Sequence, residues 1–159
     1  MDPEFIERLR TWKRKADENT ADAWIRFIIY WMIFDAYITD ESFRSNAANI
    51  TDSHKLNWFY NNDNILKNIF IETWSSPKYL ERLEDLKKET PIRDMRPTKN
   101  NLEGILLIDI KDVTNIMKCI YQIRCNTFHG AKDFQSFRDN ILIEIAESLL
   151  NEPISRFLN

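Results

Sequence analysis

Arg124 and His129 are the two side chains whose types and spacing speak most directly of chemistry. They lie in the segment Cys119-Ile120-Tyr121-Gln122-Ile123-Arg124-Cys125-Asn126-Thr127-Phe128-His129-Gly130. A guanidinium grips a phosphate through paired hydrogen bonds, and an imidazole gains or loses a proton near neutral pH. Side by side they suit phosphate esters: one stabilises charge developing around phosphorus, the other moves a proton. The spacing alone is a weak signal, so the surrounding sequence has to carry the reading.

Helix geometry decides whether the pair can meet. At 3.6 residues per turn, residues five apart point about 140° away from each other. Arg124 follows Ile120 by one turn and so borders an apolar stripe. His129 joins it on that side only where the helix ends or unwinds. Gly130, one of two glycines in the chain, suits the left-handed C′ position of such an ending. A histidine in the last turn also feels the negative end of the helix dipole, which favours its protonated form. The plainer alternative is a histidine that caps helix carbonyls and an arginine in an ordinary ion pair.

The elements that must hold this pair are helical. Two glycines in 159 residues leave little room for tight hairpins, and the apolar spacing is three and four almost throughout. A first helix is expected from about Ile6 to Asp17. A second runs from about Ala21 to Ile38 with Thr20 as N-cap. In it Trp24, Phe27, Ile28, Trp31, Phe34 and Ile38 form one stripe, flanked by Ile25, Ile29 and Ile33. Such a helix is central to a core or shared with another subunit. A polar stretch, Asp40 to Asn49, follows. Shorter helices are expected at Asp52–Asn61 and Asn64–Trp74, and another from Ser76-Pro77 to Lys88. Pro91 and Pro97 make Glu89 to Asn101 a loop, long enough to suggest a role. Two long helices close the chain, Asp109 to Phe128 and Asp133 to Leu150. They are expected to pack antiparallel across a turn at Gly130–Lys132, with Pro153 stopping or bending the second. The reading is an all-α bundle with two long antiparallel C-terminal helices.

Composition narrows the function. At 43% hydrophobic residues the chain can bury a core without disulfides or metals. Met1-Asp2-Pro3-Glu4-Phe5 look like translated cloning sites, leaving residues 6–159 as a single expected domain. Without Asp2 and Glu4 the 25 acids become 23 against 22 bases, a net charge of −1. Binding to RNA or DNA must then come from local basic patches. Cys119 and Cys125 are the only cysteines, and with no signal peptide in view a reduced, cytoplasmic setting is expected. Their spacing relative to the two histidines makes no zinc site, and no cofactor is expected. The longest apolar run, Phe27 to Phe34, is far short of the roughly 20 residues of a membrane span.

The segment from Ile120 to Gly130 resembles the signature of the HEPN superfamily (higher eukaryotes and prokaryotes nucleotide-binding domains), an arginine, four to six residues and a histidine near a helix end. Lys132 keeps a trailing lysine, while Thr127 and Ala131 replace commoner residues. The helix with Asp139, Leu142, Ala146, Leu149 and Leu150 is similar to the family's last helix, and Trp24 to Tyr37 to its first conserved one. Thr39 to Asn101 lies outside the resemblance. The resemblance implies a HEPN-like helical bundle that dimerises so that two motifs face one cleft. It implies a metal-independent endoribonuclease, with toxins, antiviral effectors and RNA-processing factors among the family's active members. Arg124 and His129 would be the catalytic pair and Asn126 a supporting polar group. Where the family often has a polar residue directly after the arginine, this chain has Cys125. A non-catalytic module for dimerisation or for binding RNA or nucleotides is the alternative, and a cognate antitoxin or regulatory protein is a further expected partner.

Other cations are candidates for substrate contact. Arg93, Arg96 and Lys99 sit on the long loop, and Lys132 trails the motif. Arg8, Arg10, Lys13, Arg14 and Lys15 surround Trp12, either as an RNA-backbone patch or, more simply, a solvated helix face. His54 is expected to be a surface or capping residue. Glu81, Glu84 and Asp85, with Asp109 and Asp112, read as exposed helix faces.

Overall fold

The computed structural model describes residues 2–19, 21–45, 51–95, 103–128 and 135–159. They form seven helices: α1 Pro3–Glu18, α2 Ala23–Arg44, α3 Asp52–Asn61, α4 Ile65–Trp74, α5 Pro77–Glu89, α6 Val113–Phe128 and α7 Phe137–Leu158. Among the described residues there is no strand, only an isolated antiparallel bridge between Ile92 and Ile105. The all-α class expected from periodicity is what the chain adopts.

Helix ends follow local capping chemistry, and this is where the sequence boundaries shift. The α1 helix starts at Pro3, with the Asp2 carboxylate accepting from the Glu4 N–H at 2.9 Å. Of the residues set aside as cloning sites, Pro3, Glu4 and Phe5 are part of the helix and Asp2 caps it. Thr20, expected to cap α2, lies outside the described residues, and Asp22 is the cap. Its carboxylate accepts from the backbone N–H groups of Trp24 and Ile25 at 2.9 and 3.2 Å. The α2 helix runs on to Arg44 rather than stopping at Ile38. An i,i+4 pair between Asp40 and Arg44 and a buried Ser42 carry it through the polar stretch. The α6 helix begins at Val113, four residues later than expected. Asp109 closes a turn onto the Lys111 N–H, and Asp112 caps the helix through the Asn115 N–H. Likewise α7 begins at Phe137 because Ser136 caps it through the Asp139 N–H.

Pro153 does not stop α7, which continues to Leu158. Proline lacks the N–H that would donate to the carbonyl four residues earlier, here Leu149. That carbonyl instead accepts from the buried Trp74 indole N–H at 3.0 Å. An orphaned acceptor inside a helix is thus satisfied by a side chain 75 residues away.

The helices belong to two compact units, with divisions inside α4 and α7: residues 1–70 with 150–159, and residues 71–149. In the first, α2 lies against α1 and α3 and supplies the core. Phe34, Phe59 and Phe70 meet edge to face, with ring centroids 5.1 to 6.2 Å apart. Lys55 is buried between α2 and α3, its ammonium 2.6 Å from Asp35 and 3.2 Å from Asp52. In the second unit the core comes from Leu83 and Leu86 of α5, Ile116, Met117, Ile120 and Ile123 of α6, and Leu142 and Ala146 of α7.

Candidate functional site

The apolar spacing on α6 buries Ile116, Met117, Ile120 and Ile123, together with Cys119, Gln122, Cys125 and Asn126. Arg124 sits at the edge of that buried arc, half-buried as its position one turn after Ile120 requires. Its guanidinium carbon stands over the Phe128 ring at 4.7 Å from the centroid, and over the Tyr121 ring at 5.9 Å. These partners are its i+4 and i−3 neighbours, so the stack forms along one face of the helix. The Nη1 atom also lies 3.9 Å from Cys125 Sγ. Phe128 ends α6 and is 48% exposed.

Asn126 is 1% exposed and serves the fold. Its Oδ1 accepts from the Met95 backbone N–H at 3.0 Å and from Gln122 Nε2 at 3.0 Å. Its Nδ2 donates to the Arg93 carbonyl at 2.8 Å. The amide thereby pins residues 93–95 onto the end of α6, and so brings exposed Arg93 to the helix that carries Arg124. The same segment is held by the paired 2.9 Å bonds between Ile92 and Ile105. Gly104 allows that approach: its φ is +72°, and a Cβ there would lie 3.0 Å from the Ile92 carbonyl oxygen. The Thr90–Pro91 peptide is cis. Arg138 of α7 grips the start of the segment, donating to the Glu89 carbonyl at 2.8 Å beside the Glu89 carboxylate.

His129, Gly130 and Lys132, with Arg96 and Lys99 on the loop, lie outside the described residues. The structure thus joins Arg124, Asn126 and Arg93 at one end of α6, with Asn126 as the tie between the other two elements. Sequence reading missed Arg138, Gly104 and Trp74. Arg138 and Trp74 donate to carbonyls distant in sequence, Gly104 makes room for one, and no pattern of residue types marks such a carbonyl.

Three of the five cations of the basic run on α1 pair with acids of their own helix. Lys13 pairs with Asp17, Lys15 with Glu18 at 2.9 Å, and Arg10 with Glu7 at 3.5 Å. Arg10 also donates to the Leu158 carbonyl at 2.7 Å. His54 is exposed and shares a contact with Thr51, the N-cap of α3.

Both cysteines are free and buried, and burial pushes the Cys119 thiol up to about 12. Among the described residues no cluster of His, Cys, Asp or Glu could hold a metal ion, and no helix is long and apolar enough to cross a membrane. A cavity of about 370 Å³ in the second unit is lined by Trp74, Leu80, Ile116 and Lys111 among others. None of the described candidate site residues lines it. Compared with family models, curated proteins and solved structures, the chain matches none of them.

Proposed function

We propose that this protein is a metal-independent endoribonuclease of the HEPN type, working as a homodimer on RNA. The observation that carries the reading is Arg124, half-buried near the end of α6, with His129 five residues further along the sequence. The ribose 2′-hydroxyl attacks the adjacent phosphorus, the bond to the 5′-oxygen breaks, and a cyclic phosphate and a free 5′-hydroxyl result. One copy's His129 takes the proton from the nucleophile, and the second copy's His129 returns one to the leaving oxygen. The two Arg124 guanidinium groups stabilise the charge on the crowded phosphorus. Each chain supplies a single histidine for this exchange, so pairing of copies is a requirement of the chemistry.

With a nearly neutral chain, substrate attraction falls to local cations. Arg93, whose backbone carbonyl Asn126 holds at the end of α6, is one candidate, and Arg96, Lys99 and Lys132 are the others. Toxin or antiviral effector roles fit such an activity, held in check by a cognate antitoxin or regulatory protein in a cytoplasmic setting. The test is cleavage of a fluorogenic RNA in EDTA. His129→Ala and Arg124→Ala are expected to abolish it while sedimentation still finds the dimer. Undiminished cleavage by His129→Ala discards the proposal.

A second reading, a non-catalytic module that dimerises or binds RNA or nucleotides, has its own support. The residue after Arg124 is a buried thiol, and the Asn126 amide is committed to Met95, Gln122 and Arg93. RNA binding without any cleavage would favour it.

A further inference from the structure

We infer that Phe128, backed by Arg124, is a stacking platform for an unpaired base next to the phosphate that Arg124 contacts. This rests on the ribonuclease reading and adds a base-contacting residue to it. Phe128 is one of eleven large apolar side chains left exposed among the described residues, at 48%, and the one with an arginine over its ring beside the motif. It is also the described residue nearest in sequence to His129. A guanidinium lies over its ring at 4.7 Å from the centroid. That cation is attracted to the negative face of the ring and favours the orientation in which the two stack. Bases of single-stranded RNA are recognised by stacking on such rings and on arginine planes, whereas a duplex keeps its bases stacked on one another. One side-chain pair therefore offers both a phosphate contact and a base contact, one helical turn apart. Tyr121, on the other side of Arg124 at 5.9 Å, steadies the guanidinium.

The probe is a single-stranded 2′-O-methyl oligonucleotide carrying 2-aminopurine, which lacks the attacking hydroxyl and so reports binding alone. Wild type is expected to quench its fluorescence and to prefer it to the same strand in a duplex. Phe128→Ala is expected to lose the quenching and roughly 5- to 150-fold in affinity, the loss typical for removing a stacking aromatic. Phe128→Tyr restores both. Phe128→Leu, which keeps apolar bulk without a ring, does not. On cleavable RNA the expected signature is a raised KM with kcat kept within about twofold. Circular dichroism checks that each variant folds. If Phe128→Ala or Phe128→Leu binds and quenches like wild type while His129-dependent cleavage persists, the platform is refuted and the nuclease stands. If wild type neither binds nor cleaves RNA, both fall together.

Discussion

At the scale of single residues, Asn126 ties the long loop to α6, and it does so as a buried amide with three hydrogen bonds. Asn126→Ala leaves the Met95 N–H and the Arg93 carbonyl without that partner. A loss of about 2–3 kcal/mol in urea unfolding is expected, with faster hydrogen exchange at the Met95 amide. A loss under about 0.5 kcal/mol, within the range of an ordinary surface change, rejects this role. In the sequence, the family resemblance makes this residue, two after Arg124, a supporting polar group of the site. On a helix two positions are about 200° apart, so the amide and the guanidinium occupy different faces. Periodicity alone could have placed Asn126 on the buried face with Ile123. What it could not supply is the loop that makes burial of an amide tolerable.

Elements are joined by a few long-range polar contacts, each open to test. Trp74→Phe removes the donor to the Leu149 carbonyl and is expected to cost about 1–3 kcal/mol. In a Pro153→Ala background the helix regains its own donor, so the same substitution should cost less. Equal costs in both backgrounds, measured by a double-mutant cycle, contradict the compensation. Lys55 links α3 to Asp35 of α2. Lys55→Met keeps the buried stem and discards the charge, and is expected to be nearly neutral. Asp35→Ala leaves the buried ammonium with Asp52 alone and should destabilise by more, about 1–3 kcal/mol. The reverse order in chemical denaturation would show that the charge itself holds the helices together. Gly104→Ala meets both a positive φ and the Ile92 carbonyl, so a loss of more than about 1 kcal/mol is expected.

For the molecule as a whole, alkaline pH is the condition its buried groups resist least. Burial raises the Cys119 thiol from its ordinary value near 9 to about 12. Burial first, and then the Glu41 charge, raise Tyr37 from 10 to about 12. Each group is neutral when protonated and holds its proton more tightly when folded. Their contribution is therefore complete below pH 9 and is lost as pH rises toward 12. The loss is at most about 1.4 kcal/mol per pH unit for each group. Cys119→Ala is expected to flatten the fall between pH 9 and 10, before Tyr37 contributes, in denaturant midpoints taken across the range. An unchanged slope would place the titration elsewhere.

The sequence by itself determined that this chain is helical and where most helices lie, because three- and four-residue apolar spacing is a local property of the backbone. Asp52–Asn61 matched to the residue, and Arg124 was placed correctly at the edge of the α6 stripe. Starts moved where a second carboxylate or hydroxyl competed to cap, as at Asp22, Asp112 and Ser136. Only the tertiary structure decided what the polar groups do. Asn126 reaches 31 residues back to Met95, and Trp74 reaches 75 residues forward to Leu149. Periodicity sets the direction in which a side chain points, while the group it meets depends on how distant segments pack.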